Sequence, residues 1–293
     1  MSFPKLHPAT KFPQSEILPL PNDVDALANR INSATRSAHN KIDRSVSTKF
    51  VVALRDGKIY RQGLQAFYHV FKNAEIEINR LMNDKESGKA GEILREFWNP
   101  TFARTEALEK DLLYFYNNQR EKFENPIREE QIEFAQHIHQ VCQEKPHLIL
   151  AYCHVMYLAL FAGGRLMKSS LSKATGIFPT LPGQTIEDVS KNGTHLFKFD
   201  CDDDESLRLS YKRDYELATR LKLTELEKLE IIEESKYIFD QNFKMIEELE
   251  IYNRQKITGK LSYKVLNYGY YVAVVVLILL TLLFGRRVAS YFF

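Results

Sequence analysis

The sequence predicts an all-α fold built as one domain, and three observations support this. Between residues 22 and 254, apolar residues recur every three or four positions, which is the spacing of one face of an amphipathic helix. No segment shows the two-residue alternation of a β-strand, and no sequence repeat is found. The chain has 293 residues, 44% of them hydrophobic, which is enough for one substantial core.

The first predicted helix begins at Asn22, a residue type favoured at the N-cap, and Asp23 and Asp25 complement the positive end of its dipole. Its apolar face is predicted to comprise Val24, Leu27, Ile31, Ala34, Ala38 and Ile42. A second helix is predicted over 59–82. Its inward face is predicted to comprise Leu64, Phe67, Tyr68, Phe71, Ile78 and Leu81.

The rest of the domain is predicted as further helices with two longer loops. These loops are 83–91 and the stretch 176–194, which contains prolines and glycines. The last helix opens at a T-x-x-E capping box formed by Thr224 and Glu227 and runs to residue 254. The helices in between are predicted over 92–117, 129–143, 146–173 and 204–221.

Both ends of the chain lie outside the helical domain, which we place at 22–254. Residues 1–21 are rich in proline and lack the apolar stretch of a signal peptide, so we expect a disordered arm. Residues 255–267 are expected to form a juxtamembrane segment, and 286–293 a short C-terminal tail.

The segment 268–285 contains 18 residues without a charge and ends against Arg286. As a helix it would be roughly 27 Å long, close to the thickness of a hydrocarbon core. The alternative is a buried core helix, but so little chain follows the segment that a C-terminal transmembrane helix is favoured. We therefore expect a tail anchor.

Composition narrows the function classes. Forty basic and 38 acidic residues nearly balance, which gives no electrostatic argument for nucleic acid as a partner. The three cysteines, at positions 142, 153 and 201, have none of the spacings of a zinc site. We read them as reduced thiols in a domain that faces the cytosol.

Two adjacent glycines interrupt an otherwise well-packed helix in the stretch LALFAGGRLM. Each of Gly163 and Gly164 costs roughly 0.5–1 kcal/mol relative to alanine inside a helix. One interpretation is close packing of two helices across the glycines. The other is a flat ligand that lies against the helix where side chains would block it.

Two groups of polar residues accompany this helix. His39, with Arg36 one turn before it, lies beside the apolar face of the first helix. It is interpreted either as a ligand or as an exposed side chain. Arg208 and Lys212 share one helix face, either solvated or as a clamp for carboxylates. Taken with the glycines, these residues predict a pocket for an aromatic ligand with acidic groups, such as heme.

Four segments resemble the heme oxygenase family, especially its eukaryotic tail-anchored members and, among them, the fungal ones. The resemblance covers residues 24–254 and the expected anchor. The four segments are SATRSAHNKID (33–43), FYHVFKNAEIEINR (67–80), CHVMYLALFAGGRLMK (153–168) and YIFDQNFKMIEELE (237–250).

The resemblance implies the fold and the reaction. It implies one heme oxygenase-like helical domain that converts heme to biliverdin, carbon monoxide and ferrous iron, a reaction that serves iron recovery. Heme is both substrate and cofactor, molecular oxygen is consumed, and an NADPH-dependent cytochrome reductase supplies electrons. The family and the anchor indicate the endoplasmic reticulum membrane with the domain in the cytosol. The short span and its basic end would also suit the mitochondrial outer membrane.

The resemblance also implies roles for individual residues. His39 is the implied iron ligand, and His154 stands where the family has a tyrosine that contacts a propionate. Gly163 and Gly164 are implied to let the helix bend against heme, and Asn242 to provide a hydrogen bond in the pocket. The implied heme-binding residues are Arg36, His39, His154, Arg208, Lys212 and Phe239.

Three positions depart from the family. Animal members have an aspartate at the position of Leu160, which organises the water that supplies protons to the reaction. Phe71 and Met156 stand where the family has a tyrosine and an arginine of the same water network. These apolar substitutions leave an alternative open, in which the protein is a membrane-anchored heme-binding peroxidase, or a heme sensor or buffer.

Overall fold

The computed structural model describes residues 18–53, 56–179, 192–259, 264–265 and 268–280, together with Gly183, Thr185 and Asp188. All regular structure in these residues is helical, which confirms the predicted all-α class. The α-helices are α1 (Leu27–Ala53), α2 (Gly57–Asn83), α3 (Gly88–Phe97), α4 (Thr105–Phe115), α5 (Glu129–Glu144), α6 (Ile149–Tyr152), α7 (Leu158–Lys173), α8 (Asp204–Arg220) and α9 (Glu225–Gly259). A π-helical turn, Cys153–Tyr157, joins α6 to α7 without a break.

The predicted capping box of the last helix is confirmed. The backbone N–H of Thr224 donates to Oε2 of Glu227 at 2.7 Å, and the N–H of Glu227 donates to Oγ1 of Thr224 at 3.3 Å. Each side chain thus satisfies a backbone donor that the first turn of α9 leaves without an intrahelical partner.

The predicted start of the first helix was wrong. Asp23, rather than Asn22, accepts the free N–H groups, those of Asp25 and Ala26, each at 3.2 Å. The chain turns once more before α1 opens at Leu27. Val24 falls in that turn and is exposed rather than part of the apolar face.

The single helix predicted over 92–117 is two helices. Extended backbone at Trp98 ends α3, and a short 3₁₀ turn, Pro100–Phe102, leads to α4. Pro100 has no N–H for an α-helical hydrogen bond, and Oδ1 of Asn99 accepts the N–H of Thr101 at 2.9 Å. Local hydrogen bonding therefore breaks the helix where apolar spacing alone predicts continuity.

The acidic stretch at 200–205 begins helix α8. Oδ1 of Asp203 accepts the N–H of Glu205 at 3.0 Å, and its Oδ2 accepts the hydroxyl of Ser206 at 2.6 Å. Acidic side chains at this end complement the helix dipole, so the run has a structural role at the N-cap.

Helices α1 and α9 run side by side in the same direction, which brings the candidate site together. At one end, Arg30 forms an ion pair with Glu225. Farther along, the ammonium of Lys41 lies 3.5 Å from the centre of the Phe243 ring. Helix α2 packs against α3, α4 and α5, and one apolar cluster fills the space between the helices.

No helix within the described ranges is long and apolar enough to cross a membrane, so the expected C-terminal transmembrane helix is not found. Residues 268–280 of the expected span are helical and mostly exposed. Residues 281–285 of the span, the tail at 286–293 and residues 1–17 of the expected arm lie outside the described residues.

Candidate functional site

The expected iron ligand, His39, is exposed on α1. Its ring packs edge-on against Phe239 of α9, with the ring centroids 5.9 Å apart. Among the described residues, neither imidazole nitrogen has a hydrogen-bond partner. The structure therefore brings these two predicted site residues together and leaves the imidazole free to act as a ligand.

Asn242 lies one turn after Phe239 on the same helix. Its Nδ2 donates to the carbonyl of Ile238 at 2.7 Å and approaches Sδ of Met156 at 3.5 Å. These contacts fix the orientation of the amide. Oδ1 is buried, and no described residue donates to it. Because a buried acceptor without a donor is costly, Oδ1 is suited to accept a hydrogen bond from a bound molecule.

The two glycines of α7 differ in their surroundings. A Cβ atom built on Gly164 would lie 3.5 Å from the ring of Phe197, so this glycine packs against the protein. A Cβ atom on Gly163 would meet no described atom within 4 Å. Gly164 thus fits the packing interpretation, whereas Gly163 presents bare backbone that a flat ligand can approach.

The change of helix geometry lies before the glycines rather than at them. Helix α7 is α-helical through both, and the departure is the π turn at Cys153–Tyr157. Such turns are frequent at functional sites, and they are a common cause of kinks. The expectation of a bend at the glycines therefore shifts to this turn.

The two cations of α8 have different partners. Arg208 donates from Nε to Oε2 of Glu205 at 3.1 Å and pairs with the second carboxylate oxygen as well. Lys212 is half-buried, and no described residue accepts a hydrogen bond from it. Burial, and to a lesser extent the neighbouring Arg208, lower the pKa of Lys212 from its usual value. A bound anion beside Lys212 would stabilise its charged form and so oppose the effect of burial.

His154 is buried beside this lysine. Its Nε2 lies 3.2 Å from Oδ1 of Asn32, to which it donates, and its Nδ1 is buried without a partner among the described residues. Burial, with a contribution from Lys212, lowers the pKa of His154 to about 3. The imidazole is therefore neutral near pH 7. Arg36, in contrast, is exposed on α1 and makes no ion pair with a described residue.

The three apolar positions that the resemblance singles out belong to one hydrophobic cluster or pack against it, and we call them the apolar wall. Phe71 and Met156 are buried, and Leu160 is half-buried. The ring of Phe71 packs edge-on against Tyr157, with centroids 5.2 Å apart. The amide of Asn242 is a polar group in direct contact with this wall.

Sequence reasoning missed Glu75, a buried carboxylate in the middle of α2. Its Oε1 accepts the hydroxyl of Tyr157 at 2.9 Å, which ties α2 to the π turn. A signal was present, because Glu75 falls between Phe71 and Ile78 on the predicted apolar face. A charged residue on such a face is expected to have a specific partner.

The residues present fit heme. The free imidazole of His39 suits an iron ligand, and the bare backbone at Gly163 suits the face of a flat ring. Lys212 and Arg36 carry positive charge without a carboxylate partner among the described residues, as contacts to propionates require.

The sequence of the chain is similar to those of heme oxygenases and of a heme-binding protein. Residues 25–248 match the sequence model of the heme oxygenase family. The chain is 43% identical to heme-binding protein HMX1 of Saccharomyces cerevisiae over 270 residues, which cover 87% of this chain and 84% of that protein. It is 22% identical to a heme oxygenase of Guillardia theta over 227 residues, 77% of this chain and 86% of the relative.

Solved structures show the same fold. Heme oxygenase-1 from the cyanobacterium Synechocystis, determined in complex with heme, matches with a TM-score of 0.63 and 22% identity over 80% of this chain and 96% of that one. The Leptospira interrogans heme oxygenase matches with a TM-score of 0.60, 22% identity and coverage of 75% and 98%. The family match spans most of the helical domain and includes the predicted site, so the chain belongs to the heme oxygenase family.

Proposed function

We propose that this protein cleaves heme oxidatively to biliverdin, carbon monoxide and ferrous iron. It would use molecular oxygen and electrons from an NADPH-dependent cytochrome reductase. The observation that carries the proposal is His39, an exposed imidazole beside Phe239 within a chain that matches the family over residues 25–248.

Different residues would bind the iron, the propionates and the ring of the heme. His39 would bind the iron, and Lys212, Arg208 and Arg36 would contact the propionates. The bare backbone at Gly163 would let the ring lie against α7. When bound, heme supplies the iron at which oxygen is activated.

The apolar wall and Asn242 would then control water beside the substrate. Leu160, Phe71 and Met156 offer no hydrogen bonds of the strength that a carboxylate or guanidinium provides. Oδ1 of Asn242 would accept a hydrogen bond from one water and hold it in place. The chain would thus position a proton source with one amide in place of the family's polar network.

A second candidate function is a heme-binding peroxidase, or a heme sensor or buffer. The observation that favours it is the apolar character of Leu160, Phe71 and Met156. The Saccharomyces relative, which is named a heme-binding protein, is in keeping with this alternative.

A single-turnover assay separates the two. The full chain in detergent micelles is loaded with hemin, and its visible spectrum is followed in air after reductase and NADPH are added. Decay of the Soret band with biliverdin, carbon monoxide and iron as products supports the oxygenase. A Soret band that persists without bile pigment rejects the oxygenase and favours the second candidate.

We further propose that residues 268–285 anchor the protein in the endoplasmic reticulum membrane, with the domain in the cytosol. The uncharged run and the basic Arg286–Arg287 that follow it support an anchor. The mitochondrial outer membrane is the alternative location. Fractionation of cells that express the tagged full chain, compared with residues 1–262, tests both, because a soluble full chain would reject the anchor.

The reductase would dock on the basic face formed by Arg208, Lys212 and Arg213. Complementary charge mainly accelerates encounter, so the effect should appear in the rate and its salt dependence. The double variant Lys212→Glu and Arg213→Glu should slow reductase-supported turnover. An unchanged rate and unchanged salt dependence with heme still bound would reject this docking face.

A further inference from the structure

Tyr157 and Glu75 form a buried phenol–carboxylate pair behind the apolar wall. The Tyr157 hydroxyl donates to Oε1 of Glu75 at 2.9 Å. The tyrosine is fully buried, and Glu75 is only 7% exposed. Tyr157 is the last residue of the π turn and precedes Gly163 on the same continuous helix, and its ring packs against Phe71 of the apolar wall, with centroids 5.2 Å apart.

The surroundings of Glu75 make it the proton acceptor for this phenol. Its carboxylate also accepts the backbone N–H of Arg104 at 2.5 Å and that of Thr105 at 3.2 Å. Backbone N–H groups donate only, and so they cannot take a proton from Tyr157. They hold the carboxylate in place with Oε1 facing the hydroxyl.

The phenol does not lose its proton by ordinary ionisation. Burial, and after it the charge of Glu75, raise the pKa of Tyr157 well above its usual value. Tyr157 passes its proton to Glu75 only when it also loses an electron, because a phenol is a far weaker acid than a carboxyl group, whereas a phenol that has lost an electron is a strong acid.

Oxidisable rings surround Tyr157. The ring centroid of Trp98 lies 4.9 Å away, and that of Tyr211 lies 6.3 Å away. On the side of the apolar wall, Phe71 is in edge contact. Aromatic rings at such separations can exchange electrons, so oxidation of one ring can pass to the next. Tyr157 therefore connects the apolar wall to an aromatic cluster in the core.

We propose that Tyr157 is a redox-active tyrosine that is oxidised by one electron when the heme-loaded protein meets hydrogen peroxide, with Glu75 as the proton acceptor. The inference rests on the proposed binding of heme. It assigns a further activity to the domain, one-electron oxidation with peroxide as the oxidant.

Reduction of hydrogen peroxide to two waters takes two electrons and two protons, and the protons come from solvent. Bound heme would mediate this reduction and supply one of the electrons, and Tyr157 supplies the other. The O–H bond of Tyr157 breaks, its proton forms an O–H bond with Oε1 of Glu75, and a neutral tyrosyl radical remains.

The chain offers a matched control in a second tyrosine–glutamate pair. The hydroxyl of Tyr152, also fully buried, donates to Oε1 of Glu234 at 2.7 Å. Its described ring neighbour is Phe134, with centroids 6.2 Å apart, and no described ring contact joins it to the cluster around Tyr157. A purely structural hydrogen bond should behave alike in both pairs.

Electron paramagnetic resonance tests the proposal. The full chain in detergent micelles is loaded with hemin, mixed with hydrogen peroxide and frozen within seconds. We expect a tyrosyl signal that narrows when the protein contains ring-deuterated tyrosine. The signal should fall to background in Tyr157→Phe and persist in Tyr152→Phe. A tyrosyl signal that remains in Tyr157→Phe overturns the assignment.

Glu75→Gln supplies the second variant, because it keeps the tyrosine and removes the proton acceptor. We expect the radical yield to fall while the Soret band stays normal. An unchanged yield overturns the role of Glu75. Hemin titration distinguishes the proposed heme binding from the proposed redox role of Tyr157. Absence of a Soret shift would reject both proposals. A Soret shift without a tyrosyl signal would reject only the redox role of Tyr157.

Discussion

Nδ2 of Asn242 lies 3.5 Å from Sδ of Met156, so an amide meets a thioether at a position where the sequence resemblance implies an arginine in the heme oxygenase family. The amide nitrogen is also held by the carbonyl of Ile238, and the amide oxygen is left free to accept a hydrogen bond. The delivery of protons to a substrate in this pocket therefore depends on few polar atoms. Substitution of the residues that carry those atoms should alter the products of the reaction.

A carboxylate restored at position 160 should improve coupling. In Leu160→Asp, the new side chain can accept hydrogen bonds from water and order it beside the substrate. We expect more biliverdin per NADPH consumed and less peroxide-driven oxidation, measured by pigment extraction and oxygen uptake. Leu158→Asp, on a different side of α7, is the matched control. If both variants give the wild-type yield, the missing aspartate is not what limits oxygenation.

Removal of the imidazole at position 39 should abolish the histidine-ligated heme spectrum. We expect His39→Ala to bind hemin at least about tenfold more weakly, with added imidazole restoring the Soret band. His139→Ala serves as the control, because His139 is exposed on α5 and pairs with Glu77. Hemin affinity and spectrum unchanged in His39→Ala would assign the ligand to another residue.

Alanine at Gly163 should have opposite effects on stability and binding. The new methyl group meets no described atom, so the free energy of unfolding of the heme-free protein should rise by about 0.5–1 kcal/mol. The same methyl group would occupy the bare backbone and weaken hemin binding.

Gly164→Ala provides the comparison, since its methyl group contacts Phe197 and should leave hemin affinity almost unchanged. Thermal unfolding and hemin titration of both variants give the two quantities. Equal hemin affinities for Gly163→Ala and the wild type would place the ring away from Gly163.

The buried His154 should make the protein less stable as pH falls. Its pKa is about 3 in the folded state against 6.5 for the free side chain, so the unfolded chain binds a proton that the folded one does not. Between these values the free energy of unfolding should fall by about 1.4 kcal/mol per pH unit. His154→Gln should remove this part of the pH dependence.

Urea unfolding at pH 5 and pH 7 measures it. The loss of stability between the two conditions should be about 2 kcal/mol smaller in His154→Gln than in the wild type. His69, also buried with a pKa lowered to about 4, remains in both proteins and supplies the same background. Identical losses in the two proteins would contradict a neutral buried His154.

The parts of the fold that local hydrogen bonding determines could be predicted from sequence. The capping box at Thr224 and Glu227 is such a case, because both partners lie within one turn. The apolar face of α1 could be predicted only as far as Ile31. Beyond it, Ala34 is exposed and Thr35 is buried, since the neighbouring helix α9, not the spacing, decides which side faces the core.

The candidate site shows the same division. The histidine at position 39, the glycines at 163 and 164, and the cations at 208 and 212 already predicted a heme pocket, and Asn242 was added by the family resemblance. The different environments of the two glycines could not be predicted, because Gly164 is covered by Phe197 from a distant segment. The pairing of Glu75 could not be predicted for a similar reason, since its partner Tyr157 follows it by 82 positions.

The π turn between α6 and α7 lies within one continuous helix. The number of residues in the turn sets how the side chains after it are rotated about the helix axis relative to those before it. Tyr152, just before the turn, is fastened to Glu234 of α9, and Tyr157, at its end, is fastened to Glu75 of α2. One residue fewer in this turn would rotate everything after it by about 100° about the helix axis. Gly163 would then face elsewhere, so the length of this five-residue turn determines which side of α7 the substrate meets.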